Sequence, residues 1–164
     1  MRSVLFFVVS IVLLPAVCAV AGANTSHEGW PRINGDLKMH KADQSGPLHA
    51  TKKRRHNELL GGHGNDVIRA GRAGDVLWGD YKPSGQPATQ VDRIYGGSGK
   101  DFIYASHGTN FIHTGGGADQ IHVHFGRGAV WCGHGRATVF ISRKNRRNYR
   151  LHGCRRISHR TVGY

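Results

Sequence analysis

A nine-residue phrase recurs along most of this chain. Residues 61–69 read GGHGNDVIR, and residues 96–104 read GGSGKDFIY. A short fixed period is typical of a solenoid, in which each copy is too small to bury its apolar face alone and the copies must stack. The repeat therefore predicts a stack of small units and not a single core wrapped by long elements.

The copies share one pattern of residue types when each is numbered from its first glycine. The second and fourth positions are mostly glycine or alanine, which allows tight turns. The residues that follow the sixth position are expected to form a short strand whose middle side chain points inward and whose neighbours point outward. The inward, eighth positions are all aliphatic: Ile68, Leu77, Ile94, Ile103, Ile112, Ile121, Val130 and Val139.

Two such copies complete one coil of a flattened spiral, with a thin aliphatic core between two parallel sheets. The predicted fold is therefore all-β: a parallel β-roll, or two-sheet β-solenoid, of nonapeptide repeats. The third copy, Gly79–Tyr95, holds seventeen residues and predicts an exposed loop before the register returns at Asp92.

The sixth position is usually aspartate. A carboxylate that follows a glycine turn, beside exposed backbone carbonyls, makes an oxygen-rich pocket of the kind that suits Ca²⁺. Aspartate next to glycine is also ordinary turn chemistry, so a roll that needs no metal stays open. The aspartates are Asp66, Asp75, Asp92, Asp101 and Asp119, whereas Asn110, Gly128 and Ala137 replace them in other copies.

The phrase G-G-x-G-x-D-x-U-x resembles the repeat of hemolysin-type calcium-binding (RTX) proteins, which form a parallel β-roll. The resemblance implies that Ca²⁺ lies between turns two copies apart and shares their aspartates. It pairs Asp66 with Asp92 on one edge. On the other edge it pairs Asp101 with both Asp75 and Asp119. The turn glycines of the two full matches join this implied metal site: Gly62, Gly64, Gly97 and Gly99.

The N-terminus carries an export signal by its pattern. Arg2 precedes an apolar run that ends in small-residue cleavage sites, so residues 1–23 are predicted to be a signal peptide. An uncleaved membrane anchor is the alternative. Cleavage would leave a chain without a transmembrane span, secreted to the extracellular or periplasmic (cell-wall) space. Residues 24–55 lack either period and predict a flexible basic lead before a roll over residues 56–142.

Cys132 and Cys154 are the only cysteines outside the signal segment. An exported chain meets an oxidising compartment, which favours a disulfide between them over two free thiols. The bridge would tie residues 143–164, a basic C-terminal cap, onto the last turn of the roll.

The charge is unevenly distributed. The formal net charge is +13, and no acidic residue follows Asp119. A basic end of this kind attracts polyanions, although no nucleic-acid motif accompanies it and a solvated face with no dedicated partner is equally consistent. The candidate polyanion-binding residues are Arg143, Lys144, Arg146, Arg147, Arg150, Arg155 and Arg156.

The ninth positions predict two outward ladders of rings, which could stack on sugars or on one another. They are Trp78, Tyr104, His122 and Phe140 on one sheet, and Tyr95, His113 and Trp131 on the other.

The function that the sequence favours is a secreted, monomeric calcium-binding β-roll with a structural or adhesive role. The alternative is a module that binds an anionic cell-envelope polymer or polysaccharide on a metal-independent roll. No catalytic constellation stands out, so we expect no enzyme activity.

Overall fold

Thirteen short strands form nearly all the regular structure of the described chain. The computed structural model describes residues 33–160 except 42, 83, 84 and 86. One 3-10 turn covers Asn145–Asn148. The strands are β1 (Leu37–Met39), β2 (Gly46–His49), β3 (Glu58–Leu60), β4 (Asp66–Arg69), β5 (Val76–Trp78), β6 (Val91–Tyr95), β7 (Phe102–Tyr104), β8 (Thr109–His113), β9 (Gln120–His122), β10 (Arg127–Trp131), β11 (Thr138–Phe140), β12 (Tyr149–His152) and β13 (Arg156–Ser158).

The strands alternate between two sheets. The odd-numbered strands form a seven-stranded first sheet in chain order, and the even-numbered strands form a six-stranded second sheet. Every pairing within the described residues is parallel. Each coil therefore contributes one strand to each sheet, which confirms the predicted parallel β-roll. The described residues contain no helix long and apolar enough to span a membrane.

The core is the aliphatic column that the eighth positions predict. All eight of these side chains have zero exposure, from Ile68 to Val139. Leu48 and Leu59 extend the same column toward the N-terminus. The flanking positions lie outside this column, but in part of the first sheet they are not exposed to solvent. Val76, Phe102 and Tyr104 are buried there in a second small cluster, because in-register strands cover one another's outer side chains.

The roll begins earlier than the sequence indicated. β1 and β2 lie within residues 24–55, which were expected to be a flexible lead, and they pair with β3 and β4. Leu48 stands in register with Ile68 and fills the core position of the second sheet. These register partners lie 20 or 21 positions apart, so the stretch shows no nine-residue period. The predicted signal peptide, residues 1–23, lies outside the described residues.

The lengthened third copy returns to register as expected. Ile94 pairs with Ile68, and Tyr95 with Arg69. The amide of Val91 donates to Asn65 Oδ1 over 2.6 Å, which fixes the end of the inserted loop against the preceding coil.

The C-terminal cap is built as a further coil. β12 pairs with β10 and β13 with β11, both in parallel. Cys132 and Cys154 form a disulfide with a Cα–Cα distance of 5.0 Å, which confirms the predicted bridge. The bridge joins the turns that follow β10 and β12.

Removing this bridge is expected to lower the free energy of unfolding. The two cysteines are 22 residues apart, and the chain-entropy estimate for a loop of this size is roughly 3 kcal/mol. Urea unfolding of Cys132→Ser/Cys154→Ser against the oxidised protein measures the loss. Reduction should weaken the original protein and leave the double variant unchanged; equal stability of oxidised and reduced protein would contradict the expectation.

Candidate metal-binding turns

The sixth positions form two columns, one along the turns that lead into each sheet. Each side chain follows a glycine turn and sits where the chain enters a strand. All seven polar side chains in these columns have zero exposure. The first-sheet column holds Asp75, Asp101 and Asp119, preceded by Asn57, and the second-sheet column holds Asp66, Asp92 and Asn110.

In the first-sheet column each carboxylate accepts a hydrogen bond from the backbone of the preceding coil. The Asp75 amide donates to Asp101 Oδ1 over 2.8 Å, and the Asp101 amide donates to Asp119 Oδ1 over 3.0 Å. The second oxygen of Asp101 accepts from the amide of Gly97 at 2.7 Å. Asp75 is bonded in the same way, from the amides of Asn57 and Gly71. Both oxygens of Asp75 and Asp101 are thus already bonded to the turns.

In the second-sheet column, some carboxylate oxygens have no hydrogen-bond partner. The Asp66 amide donates to Asp92 Oδ1 at 3.0 Å, and Asp66 Oδ1 lies 2.7 Å from His40 Nδ1. Among the described residues, the buried Oδ2 atoms of Asp66, Asp92 and Asp119 have no hydrogen-bond partner. A buried acceptor without a partner costs free energy, so these three oxygens are the places where a cation would stabilise the fold.

The inserted loop explains why Asp92 differs from Asp101. In the regular copies the second-position amides of Gly71 and Gly97 close the turn onto the aspartate four residues later. In the third copy the second position is Asp80, twelve residues before Asp92 in the sequence. The turn around Asp92 therefore lacks the usual local donor.

Burial makes these carboxylates hard to ionise without a counter-charge. Burial raises the pKa of Asp92 to about 7, and the negative charges of Asp66 and Asp80 add to this effect. It likewise raises the pKa of Asp101 to about 8 and that of Asp119 to about 6. Burial also raises the pKa of Asp66, with a partial offset from His40. A divalent cation would favour the ionised forms.

Two side chains at these turns were missed by sequence reasoning. Asp80 is buried, accepts from the amide of Lys82 at 2.8 Å, and has Oδ2 3.7 Å from Nε2 of His63. His40 lies in the stretch that was expected to be flexible. Neither residue falls on a carboxylate position of the repeat, so the period gives no signal for them.

The turns fit a hard cation through oxygen donors. A Cβ atom at Gly97 would collide with the carbonyl oxygen of Gly71, and one at Gly99 would collide with the backbone of Ala73. The carbonyls of one coil therefore face the turn of the next. Within the described part of the chain no three His, Cys, Asp or Glu side chains converge on one point. A cation held here would draw on backbone carbonyls as well as on one or two carboxylates.

The other predicted glycines occupy equivalent positions in the earlier turn. The backbone of Gly62 lowers the pKa of the Asp66 carboxyl and so offsets part of the effect of burial. A Cβ at Gly64 would collide with the carbonyl oxygen of Gln44. Asn110 needs no cation, because its Oδ1 accepts from the amide of Ser106 at 2.9 Å and its Nδ2 donates to the Ser106 carbonyl at 3.0 Å.

The ring ladders are stacked on themselves. Trp78, Tyr104, His122 and Phe140 follow one another with centroid distances of 4.3, 4.6 and 4.8 Å. The second ladder runs Tyr95, His113, Trp131 and then His152, at 5.3, 4.4 and 5.2 Å. The inner rings have both faces covered by neighbours, so these faces are not open to a sugar ring.

The predicted polyanion-binding residues all fall at the C-terminal end, on or just before the 3-10 turn and on the last coil. Arg146 is partly buried and donates to the carbonyl of Tyr149 at 3.0 Å. The remaining six are exposed: Arg143, Lys144, Arg147, Arg150, Arg155 and Arg156.

Comparison with known families gives one match. Residues 55–80 and 89–121 match the profile of the RTX calcium-binding nonapeptide repeat, in four copies. The gap between the two matched segments coincides with the inserted loop. No curated protein and no solved structure matches the chain.

Proposed function

We propose, from the RTX calcium-binding repeats that residues 55–80 and 89–121 constitute, that this chain is a secreted calcium-binding β-roll protein. Its role would be structural or adhesive, without catalysis. The observation that carries the proposal is the set of buried, unpartnered carboxylate oxygens at Asp66, Asp92 and Asp119, on turns that stack carbonyl oxygens against each other.

The residues proposed to hold Ca²⁺ are not equivalent. Asp66 and Asp92 on the second-sheet edge, and Asp119 on the first, each have one oxygen to offer. Asp75 and Asp101 have both oxygens engaged with backbone amides, so they support the turns even without metal. Bound Ca²⁺ supplies positive charge to the buried carboxylates, and its binding free energy thereby becomes folding free energy.

Secretion is supported by the apolar N-terminal segment of the sequence and by the disulfide, which is typical of oxidising compartments. We place the processed chain in the extracellular or periplasmic space, as a monomer.

Calcium is expected to raise the melting temperature of the full chain. The measurement is a thermal melt of the oxidised protein in excess EDTA, in millimolar Ca²⁺ and in millimolar Mg²⁺. A ligand that binds only the folded state at one hundred times its Kd stabilises by about 2.7 kcal/mol. We expect a rise with Ca²⁺ that Mg²⁺ does not reproduce, since Mg²⁺ requires a tighter octahedral shell.

Three variants sharpen this test. Asp92→Asn should shrink the calcium-dependent rise, whereas Asp43→Asn, which removes the same charge from an exposed side chain, should leave it intact. Asp101→Asn should lower the melting temperature in EDTA as well, because that side chain supports the turn. An unchanged melting temperature on adding Ca²⁺ to the folded protein would reject the proposal.

A second candidate is a binding module for an anionic envelope polymer or polysaccharide. The observation that favours it is the run of exposed basic residues on the last coil, in a stretch of sequence without any acid after Asp119. This function would need no calcium.

A further inference from the structure

The column of sixth positions reverses its charge at the C-terminal end of the roll. Asp101, Asp119, Ala137 and Arg155 each precede a residue of one continuous set of register partners in the first sheet. A carboxylate stands in this column in the middle coils and a guanidinium in the last. The same turn architecture thus presents negative charge at one level and positive charge two coils later.

A cleft of about 540 Å³ opens at these last turns. This volume lies within the range of natural ligand sites. Its lining combines turn glycines with the disulfide cysteine Cys132 and four basic side chains: His134, Arg136, Arg155 and Arg156.

The charge of the cleft is not compensated within the described part of the chain. Across the described residues, every ion pair involves His40 or His63. Arg136, Arg155 and Arg156 therefore have no carboxylate partner among the described residues. The nearest acid in this column is Asp119, one coil away, and its side chain is fully buried and does not line the cleft. The Cys132–Cys154 bridge ties the two turns together and so holds the arginines on one framework.

We propose that this cleft binds a tetrahedral oxyanion group, a phosphate or a sulfate. Guanidinium groups bind such oxygens through paired, charge-assisted hydrogen bonds. The site uses Arg136 and His134, which lie outside the basic run predicted from the sequence. It specifies where the second candidate function would act, and it does not depend on calcium binding.

The test follows the arginine Nε–Hε signals of the full, oxidised chain by NMR at low ionic strength, with EDTA present throughout. Inorganic phosphate is titrated first, then short dextran sulfate, with uncharged dextran as control. We expect saturable shifts at Arg136, Arg155 and Arg156. Arg155→Ala should weaken phosphate binding about tenfold, the factor that one hydrogen bond between charged groups supplies. Arg147→Ala removes the same charge from an exposed position outside the cleft and should weaken it less than twofold.

The two arginine variants and the two anions distinguish a built oxyanion site from general attraction to basic residues. Equal weakening by Arg155→Ala and Arg147→Ala, or shifts that do not saturate with either anion, would overturn the site. Saturation with dextran sulfate but not with phosphate, still dependent on Arg155, would assign the oxyanion group to a polymer. Arg155→Gln, with its thermal melt compared with that of the original chain, excludes misfolding as the cause. Phosphate binding without any calcium effect on the melting temperature would reject the calcium function alone.

Discussion

Metal-free protein is expected to lose stability as the pH rises from about 6.5 to about 8. Burial raises the pKa of Asp92 to about 7 and of Asp101 to about 8, against an ordinary value of 3.8. The folded state therefore binds more protons than the unfolded state in this window, so the free energy of unfolding falls as those protons are lost. One proton that differs between the two states changes the free energy of unfolding by about 1.4 kcal/mol per pH unit, so the loss across this window amounts to about 2–3 kcal/mol, most of it from Asp101.

Below about pH 6.5 the effect of the aspartates on the free energy of unfolding is partly cancelled, because a buried histidine has the opposite pH dependence. Burial lowers the pKa of His122 to about 4 from 6.5. Its unfolded form binds the extra proton, so this group makes the protein more stable as the pH rises toward 6.5. Above that value the aspartates dominate.

Urea unfolding in EDTA at several pH values measures this effect. Asp101→Asn should remove most of the slope between pH 6.5 and 8, and Asp92→Asn should remove the smaller part below about pH 7. Asp43→Asn should leave both unchanged. Saturating Ca²⁺ should also flatten the slope, because bound metal favours the ionised carboxylates. Stability that stays level or increases across this window in EDTA would show that the buried carboxylates titrate normally.

Ile103→Ala is expected to lower the free energy of unfolding by about 2–5 kcal/mol. Truncating a fully buried aliphatic side chain removes its transfer free energy and leaves a cavity. Ile103 has zero exposure and lies between Leu77 and Ile121 in the core column, so no side chain is free to fill the gap. Urea unfolding in EDTA measures the change.

The matched control is Ile157→Ala, whose side chain is 41 % exposed. It should cost about 0.5 kcal/mol or less, as most surface substitutions do. A loss at Ile103 no larger than that at Ile157 would mean that the column is not the stabilising core.

The sequence predicts the middle of this fold well because one period determines both the sheet to which each strand belongs and the side chains that enter the core. A residue that recurs every nine positions alternates between two sheets, so the inward column from Ile68 to Val139 follows directly from the spacing. The first coil could not be found in this way. There Gly46 stands in register with Asp66 at a separation of 20, and the glycine–aspartate phrase is absent.

The candidate site was predicted only in part for a different reason. Asp92 and Asp101 occupy the same repeat position, and the sequence pattern predicts the same role for both. What separates them is whether the turn supplies a second donor: the amide of Gly97 reaches Asp101, whereas the insertion removes the equivalent donor from Asp92. The inserted loop is thus what leaves an oxygen of Asp92 available.

The stacking register also determines how such a chain can change length. Between β7 and β13, partners in the first sheet are 18 residues apart, as with Phe102 and Gln120. Gaining or losing 18 residues would return every side chain to its own column. A change of nine would exchange the two sheets for the rest of the roll and move each ring ladder to the opposite face. Growth and loss are therefore restricted to whole coils, and every regular coil gained would bring one new carboxylate to each edge of the spiral.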